Sequence, residues 1–206
     1  AEGNTVSDYN WDEIERKSSI NAGFTFCDYQ DIRLQMIDTP GFADFYGEVL
    51  TAIRAVDNAV VVIDAGSGVE VGTEKSWALL EEIGMPRLIF VNKTDKDGVD
   101  KDKLVAEIRE TLSRNAVILD TTALETLMEP IAESDDSLLE KYLANGKLSI
   151  DEIKSGLHQA VANAKVFPII FGSAATDAGL DELLKAVRED LVPPAERPYM
   201  ALDTGS

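Results

Sequence analysis

The sequence predicts an α/β fold in which a mostly parallel sheet is flanked by helices. Short apolar runs alternate with amphipathic segments over the 206 residues, a rhythm that places crossover helices between parallel strands. Two runs, 59–63 and 88–91, are continuous and rich in Val and Ile, as expected of strands buried on both faces. Polar or small-residue loops follow the runs ending at Ile37, Val91 and Phe171, at the strand ends where such sheets bind ligands.

Each element has a local justification. Residues 24–29 and the alternating Ile32, Leu34 and Met36 suit a hairpin turned by Gln30-Asp31. Phe45, Val49, Ala52, Ile53 and Val56 recur at helical spacing within 42–57. Helices are expected over 74–84, closed by Gly84, and over 104–112. Ser149 followed by Glu152 is a capping-box signal for a helix to about residue 162, and Gly146 suits the turn before it. The run 166–171 reads as a strand, with Pro168 arguing against a central place in the sheet. A last helix over 180–191 stops at Val192-Pro193-Pro194.

Composition narrows the class. Hydrophobic residues make up 45% and charged residues 28% of the chain, with a mean hydropathy of −0.08, which describes a soluble globular domain. Asp and Glu number 38 against 19 Lys and Arg, a net charge of −19. That balance opposes nonspecific duplex binding, and sequence-specific DNA binding is not expected. A lone cysteine, Cys27, forms no internal disulfide, which favours a reducing cytoplasmic setting. One Cys and one His, His158, cannot build a Cys/His zinc site. No apolar run approaches the roughly 18 residues that span a bilayer, and the amino end has no signal-peptide pattern. A monomer is expected.

The loops carry the chemistry. Asp38-Thr39-Pro40-Gly41 offers a carboxylate that can hold Mg²⁺ through water. Gly41 would let a backbone N–H approach a phosphate. In Asn92-Lys93-Thr94-Asp95, the Asp95 carboxylate can accept from both the N1–H and the amine of guanine. Adenine lacks that donor pair and would leave the carboxylate unpaired. Asn92 can tie loops together and the Lys93 stem can cover the ring plane. Small residues at Gly172-Ser173-Ala174 would admit a backbone N–H to the guanine carbonyl oxygen.

On these residues the chain resembles the GTPase domain of an elongation factor G-like translational GTPase. The likeness extends through Ala43-Asp44-Phe45, Glu48-Val49, Ser67-Gly68-Val69-Glu70, Thr73-Glu74, Pro86-Arg87 and Leu139-Glu140-Lys141-Tyr142-Leu143. It implies a P-loop GTPase-like fold, GTP and GDP binding with Mg²⁺, the ribosome as partner, and hydrolysis during translocation. It also implies a GTPase-like domain over 1–194, with a helical insertion remnant at about 120–163. Residues 195–206 would lead to a β-barrel domain.

Departures from the family pattern suggest a divergent paralogue group. No Gly-x-x-x-x-Gly-Lys-[Ser/Thr] loop occurs in the sequence, so the phosphate loop is expected before Ala1 and the fold to be incomplete at its amino end. This chain alone is therefore expected to be inactive. Only a short join remains between Asn115 and Leu124, where the family carries a long insertion. Phe42 stands where the family has a histidine that orients water, leaving the catalytic residue unassigned. Ser19 falls at the switch threonine position and keeps a hydroxyl for magnesium, while Lys17 replaces a glycine. Two alternatives remain: a weakly hydrolysing GTP-dependent ribosome-binding factor, and an acidic receiver-like module using Asp38 or Asp64 with Lys93. His158 is expected at the surface, Cys27 in a strand, Trp11 and Trp77 in packing, and 133–136 as a solvated helix start.

Overall fold

The computed structural model describes residues 5–196; the expected lead into a β-barrel at Tyr199-Met200-Ala201-Leu202 lies outside them. Two strands, β1 (Gly23–Tyr29) and β2 (Ile32–Asp38), form the expected antiparallel hairpin, with Gly23 opposite Asp38 and Tyr29 opposite Ile32. The other strands, β3 (Ala59–Asp64), β4 (Arg87–Asn92), β5 (Ala116–Ile118) and β6 (Phe167–Phe171), make a parallel sheet in the order β3-β4-β6-β5. The strand ending near Ile37 was expected in that sheet, and the structure corrects this. Arg33 and Gln35 alternate with the apolar positions of β2 and are exposed, a pattern suited to one covered face rather than two.

Eight α-helices lie among the described residues: α1 (Trp11–Arg16), α2 (Tyr46–Ile53), α3 (Val71–Glu82), α4 (Lys101–Thr111), α5 (Met128–Glu133), α6 (Asp136–Asn145), α7 (Ile150–Ala162) and α8 (Leu180–Asp190). The capping signals hold. Ser149 accepts from the Glu152 N–H while the Glu152 carboxylate accepts from the Ser149 N–H, and Gly146 ends α6 at φ 70°. The helix expected over 42–57 is shorter, opening with a 3₁₀ turn at Ala43–Phe45 and ending at Ile53. The join between Asn115 and Leu124 contains β5, whose Ala116 and Val117 are buried at the sheet edge.

Alternation along the parallel strands sends side chains into two cores. On one face Leu88, Phe90 and Ile170 pack with Ile131 of α5, Ile153 and Leu157 of α7, and Ala186 of α8. On the other, Ile63, Ile89, Val91 and Ile169 pack with Trp77 and Leu80 of α3 and with Leu104 and Ile108 of α4. The β3 register sets Val60 opposite Leu88 and Val62 opposite Phe90, so those two valines face the first core. They are 39% and 57% exposed, so burial of β3 on both faces is corrected to burial on one. The two valines thus remain partly exposed on the side of the sheet where Leu88, Phe90 and Ile170 are buried.

Pro168 is tolerated within an inner strand because its missing N–H falls before the ladder with β4 begins. Phe167 donates to the Asn115 carbonyl on the β5 side, so the next nitrogen faces β4, whose pairing starts only at Ile169. Arg87 is buried between the rings of Trp77 and Phe167, 4.1 Å and 4.3 Å from their centroids. Burial lowers its pKa to about 10, which leaves the guanidinium charged at neutral pH and attracted to both ring faces. Trp77 is thus a packing residue as expected. Trp11 is not: it is 75% exposed, because α1 turns Glu13 inward instead.

The face asymmetry of β3 is testable at two adjacent residues. Ile63→Ala removes a fully buried side chain and should cost about 2–5 kcal/mol, whereas Val62→Ser should stay within about 0.5 kcal/mol. Urea unfolding monitored by far-UV circular dichroism measures both, and equal losses would contradict the one-sided burial.

Candidate functional site

The site is built where β4 and β6 end. Asn92 closes β4, and its side-chain Oδ1 accepts from the Lys93 N–H at 2.8 Å and the Ala174 N–H at 2.9 Å. Thr94 donates its N–H and its hydroxyl to the Gly172 carbonyl at 3.1 Å and 3.0 Å, and the Gly172 N–H donates to Val91. The loops after the two strands are therefore one hydrogen-bonded unit. Glycine is needed at 172, where a Cβ would meet the Ala178 carbonyl and lie 2.7 Å from Phe90 Cζ. It is needed again at Gly179, the N-cap of α8, which sits at φ 75°.

This unit presents the residues singled out for base recognition. Ser173 is buried and Ala174 exposed, with the Ser173 N–H donating to the Ala178 carbonyl at 2.8 Å. The Asp95 carboxylate is exposed, and a hydrogen bond from Ser173 holds its pKa below the usual carboxylate range. The Ala174 N–H is engaged by Asn92, so Ala174 joins the loops in addition to offering small bulk beside the site. Lys93 takes a left-handed φ of 64°, and its ammonium donates to Asp64 Oδ2 at 2.6 Å.

The second loop, Asp38-Thr39-Pro40-Gly41, follows β2. A Cβ built on Gly41 would meet nothing within 4 Å, while one built on Gly72 in the first turn of α3 would lie 3.8 Å from the Gly41 carbonyl. Helix α3 follows the carboxyl end of β3, so Gly41 shares an end of the molecule with Asp64, Asp95 and Ala174. Asp38 is exposed, and its Oδ2 accepts from the Ser7 hydroxyl at 2.6 Å. Ser7 reaches it because Gly23, across the hairpin from Asp38, has no side chain; a Cβ there would lie 2.7 Å from Ser7 Cβ.

The structure thus brings Ser7, rather than Ser19, to the Asp38 carboxylate. Ser19 is half-buried and its hydroxyl makes no hydrogen bond among the described residues. Its surroundings are organised by Glu13, which sequence reasoning missed. Glu13 Oε1 accepts from the N–H groups of Ile20 and Asn21 at 3.0 Å and 2.9 Å, and Oε2 accepts from Asn10. The spacing Asn10-x-x-Glu13 was the available signal, since it is a capping-box pattern. The Ala22 N–H donates to Glu48 of α2 at 3.0 Å, tying this segment to the helix after Gly41. Phe42 is 62% exposed, and its ring offers no proton donor or acceptor. No group of three or more His, Cys, Asp or Glu among the described residues is arranged to hold a metal.

Residues 1–193 match the elongation factor Tu GTP-binding domain family, and the chain belongs to that family. It is therefore a GTPase-type domain, of a class that binds GTP or GDP with Mg²⁺. The fold also matches the crystal structure of a protein from Thermus thermophilus, at a TM-score of 0.86 and 27% sequence identity. That match covers 95% of this chain and 36% of the other. No helix among the described residues is long and apolar enough to cross a membrane.

The residues present fit the guanine half of such a ligand: an ionised, exposed Asp95 beside Ser173, with Asn92 and Ala174 fixing the loops. On the metal side, the exposed Asp38 carboxylate is the group a hydrated magnesium ion would use; its Oδ2 accepts from Ser7, and the Ser19 hydroxyl is not bonded to it.

Glu13 provides a pH test of the segment that contains Ser19. Backbone donors, Asn21 foremost, lower its pKa from 4.5 to about 2. A depressed carboxylate contributes its stabilisation above its unfolded pKa and loses it as pH falls through the folded one. Amide protection at Ile20 and Asn21 should therefore persist above pH 4.5 and fade towards pH 2. In Glu13→Gln the protection should already be low at neutral pH; protection unchanged in that variant, read by hydrogen exchange, would exclude this role.

Proposed function

We propose that this chain is the nucleotide-switch portion of an elongation factor G-like translational GTPase that binds GTP and GDP with Mg²⁺ and acts with the ribosome during translocation. The observation that carries the reading is the Asn92 side-chain oxygen shared by Lys93 and Ala174, which joins the loops that carry Asp95 and Ser173. Asp95 would accept from the two donors on the guanine edge, Asn92 would keep the two loops together, and the Lys93 stem would cover the ring. Asp38 would anchor the metal through water, and Gly41, where an added Cβ would meet nothing within 4 Å, would leave room for a terminal phosphate. Bound GTP and Mg²⁺ supply the phosphoanhydride and the charge that stabilises its cleavage.

Phe42 favours a second reading for the rate alone. A phenylalanine cannot orient the attacking water, so hydrolysis would be slow unless the ribosome supplies a group. The receiver-like alternative is weaker: it accounts for the Asp64–Lys93 ion pair but not for the tie between Asn92 and Ala174. It also gives no role to Asp95 and Ser173.

Base selection tests the reading in the full-length protein. Asp95→Ala should lower the preference for GDP over ADP at least about a hundredfold, since two charge-assisted hydrogen bonds are lost. Fluorescent-nucleotide competition measures it, and an unchanged preference would remove Asp95 from the base site. Single-turnover GTP hydrolysis with and without ribosomes separates the enzyme from the binding factor, and only the enzyme predicts acceleration.

A further inference from the structure

We propose that Asp64 is a positioning residue of this site, whose carboxylate pins the Lys93 ammonium and so holds the lysine stem as a fixed apolar shelf for the face of a purine. The proposal rests on the guanine-nucleotide reading and assigns a role to a residue outside the base-recognition loops.

Asp64 is the last residue of β3 and sits in register with Asn92, the last residue of β4. Its two oxygens are used differently. Oδ1 accepts from the Gly66 N–H at 2.8 Å, which turns the chain out of the strand. Oδ2 accepts from Lys93 Nζ at 2.6 Å, with Lys96 Nζ at 3.8 Å. The Asp64 side chain is 22% exposed against 48% for Lys93, so the anchor is the more sheltered partner. Lys93 and Gly66 hold the Asp64 pKa below the usual range, keeping it charged near neutrality.

An exposed lysine pair ordinarily contributes little, because ordering a long side chain offsets the Coulombic gain. Here the base of that side chain is already ordered. The Lys93 N–H is held by Asn92, its φ is 64°, and its carbonyl accepts from the Lys96 N–H at 3.2 Å. With the backbone fixed at one end and the ammonium at the other, the four methylene groups span from β4 towards β3. An alkyl stem held in that way contacts a ring face through apolar area, and such contact does not distinguish one purine from another. Asp95 would then select the base while Asp64 and Lys93 set affinity for the ring.

The test uses the full-length protein and the diphosphates of guanosine and inosine, which differ by the amine that Asp95 would accept from. Asp64→Asn keeps an acceptor for Gly66 and removes the charge. It should weaken both ligands by roughly three- to fivefold and leave their ratio unchanged, whereas Asp95→Ala should compress the ratio. In GTP turnover the same variant should raise KM with kcat little changed. Lys93→Met retains an unbranched apolar stem, so Asp64→Asn added to it should have no further effect. Unchanged affinity in Asp64→Asn, an altered ratio, or an equal loss in the Lys93→Met background would overturn the proposal while leaving the nucleotide reading intact. A wild-type protein that binds neither diphosphate would overturn both.

Discussion

One amide oxygen holds the candidate site together. Asn92 Oδ1 accepts a proton from the next residue and another from Ala174, a residue far along the chain. Each bond contributes only about 1 kcal/mol of net stability, but together they determine where Asp95 lies relative to Ser173. The Thr94 bonds to the Gly172 carbonyl repeat the link a residue further on. Gly172 and Gly179 let the second loop pass close enough for these bonds to form. The proposed recognition would therefore depend on a backbone arrangement that two strand ends create jointly.

The parallel sheet makes that arrangement rigid, since both of its faces are packed at β4 and β6. Leu88, Phe90 and Ile170 enter one core while Ile89, Val91 and Ile169 enter the other. The hairpin is held differently. It shares no ladder with the parallel sheet, and its named links elsewhere include Ser7 to Asp38, Tyr29 to Asp181 and Arg188 to Asp31. These are exposed polar contacts, individually weak. The Asn92 side of the candidate site thus rests on a packed core, while the Asp38 side rests on a more yielding network, a division that would suit the proposed base recognition beside a segment able to rearrange.

Much of this was legible before any coordinates. The helix signals at Ser149, Glu152 and Gly146 depend on neighbours a few residues apart, and they appear as read. The hairpin turn at Gln30-Asp31 is likewise where expected, since alternation and a polar turn suffice to specify it. The reading of β3 failed because an apolar strand does not reveal which face its neighbours cover; Val60 and Val62 remain exposed despite their chemistry. Trp11 misled for the same reason, its bulk suggesting packing while Glu13 took the inward position.

Residue order alone established the alternation of strands and helices and placed Asp38, Asn92, Asp95 and Ser173 just beyond apolar runs. Those features are local, set by side-chain period and turn chemistry within a few residues. Folding chose the partners: Ala174 for Asn92, Lys93 for Asp64 and Ser7 for Asp38. These contacts join segments 29–82 residues apart along the chain. Strand order, crossover geometry and the absent side chain at Gly23 bring them within reach, and no local pattern encodes such distances.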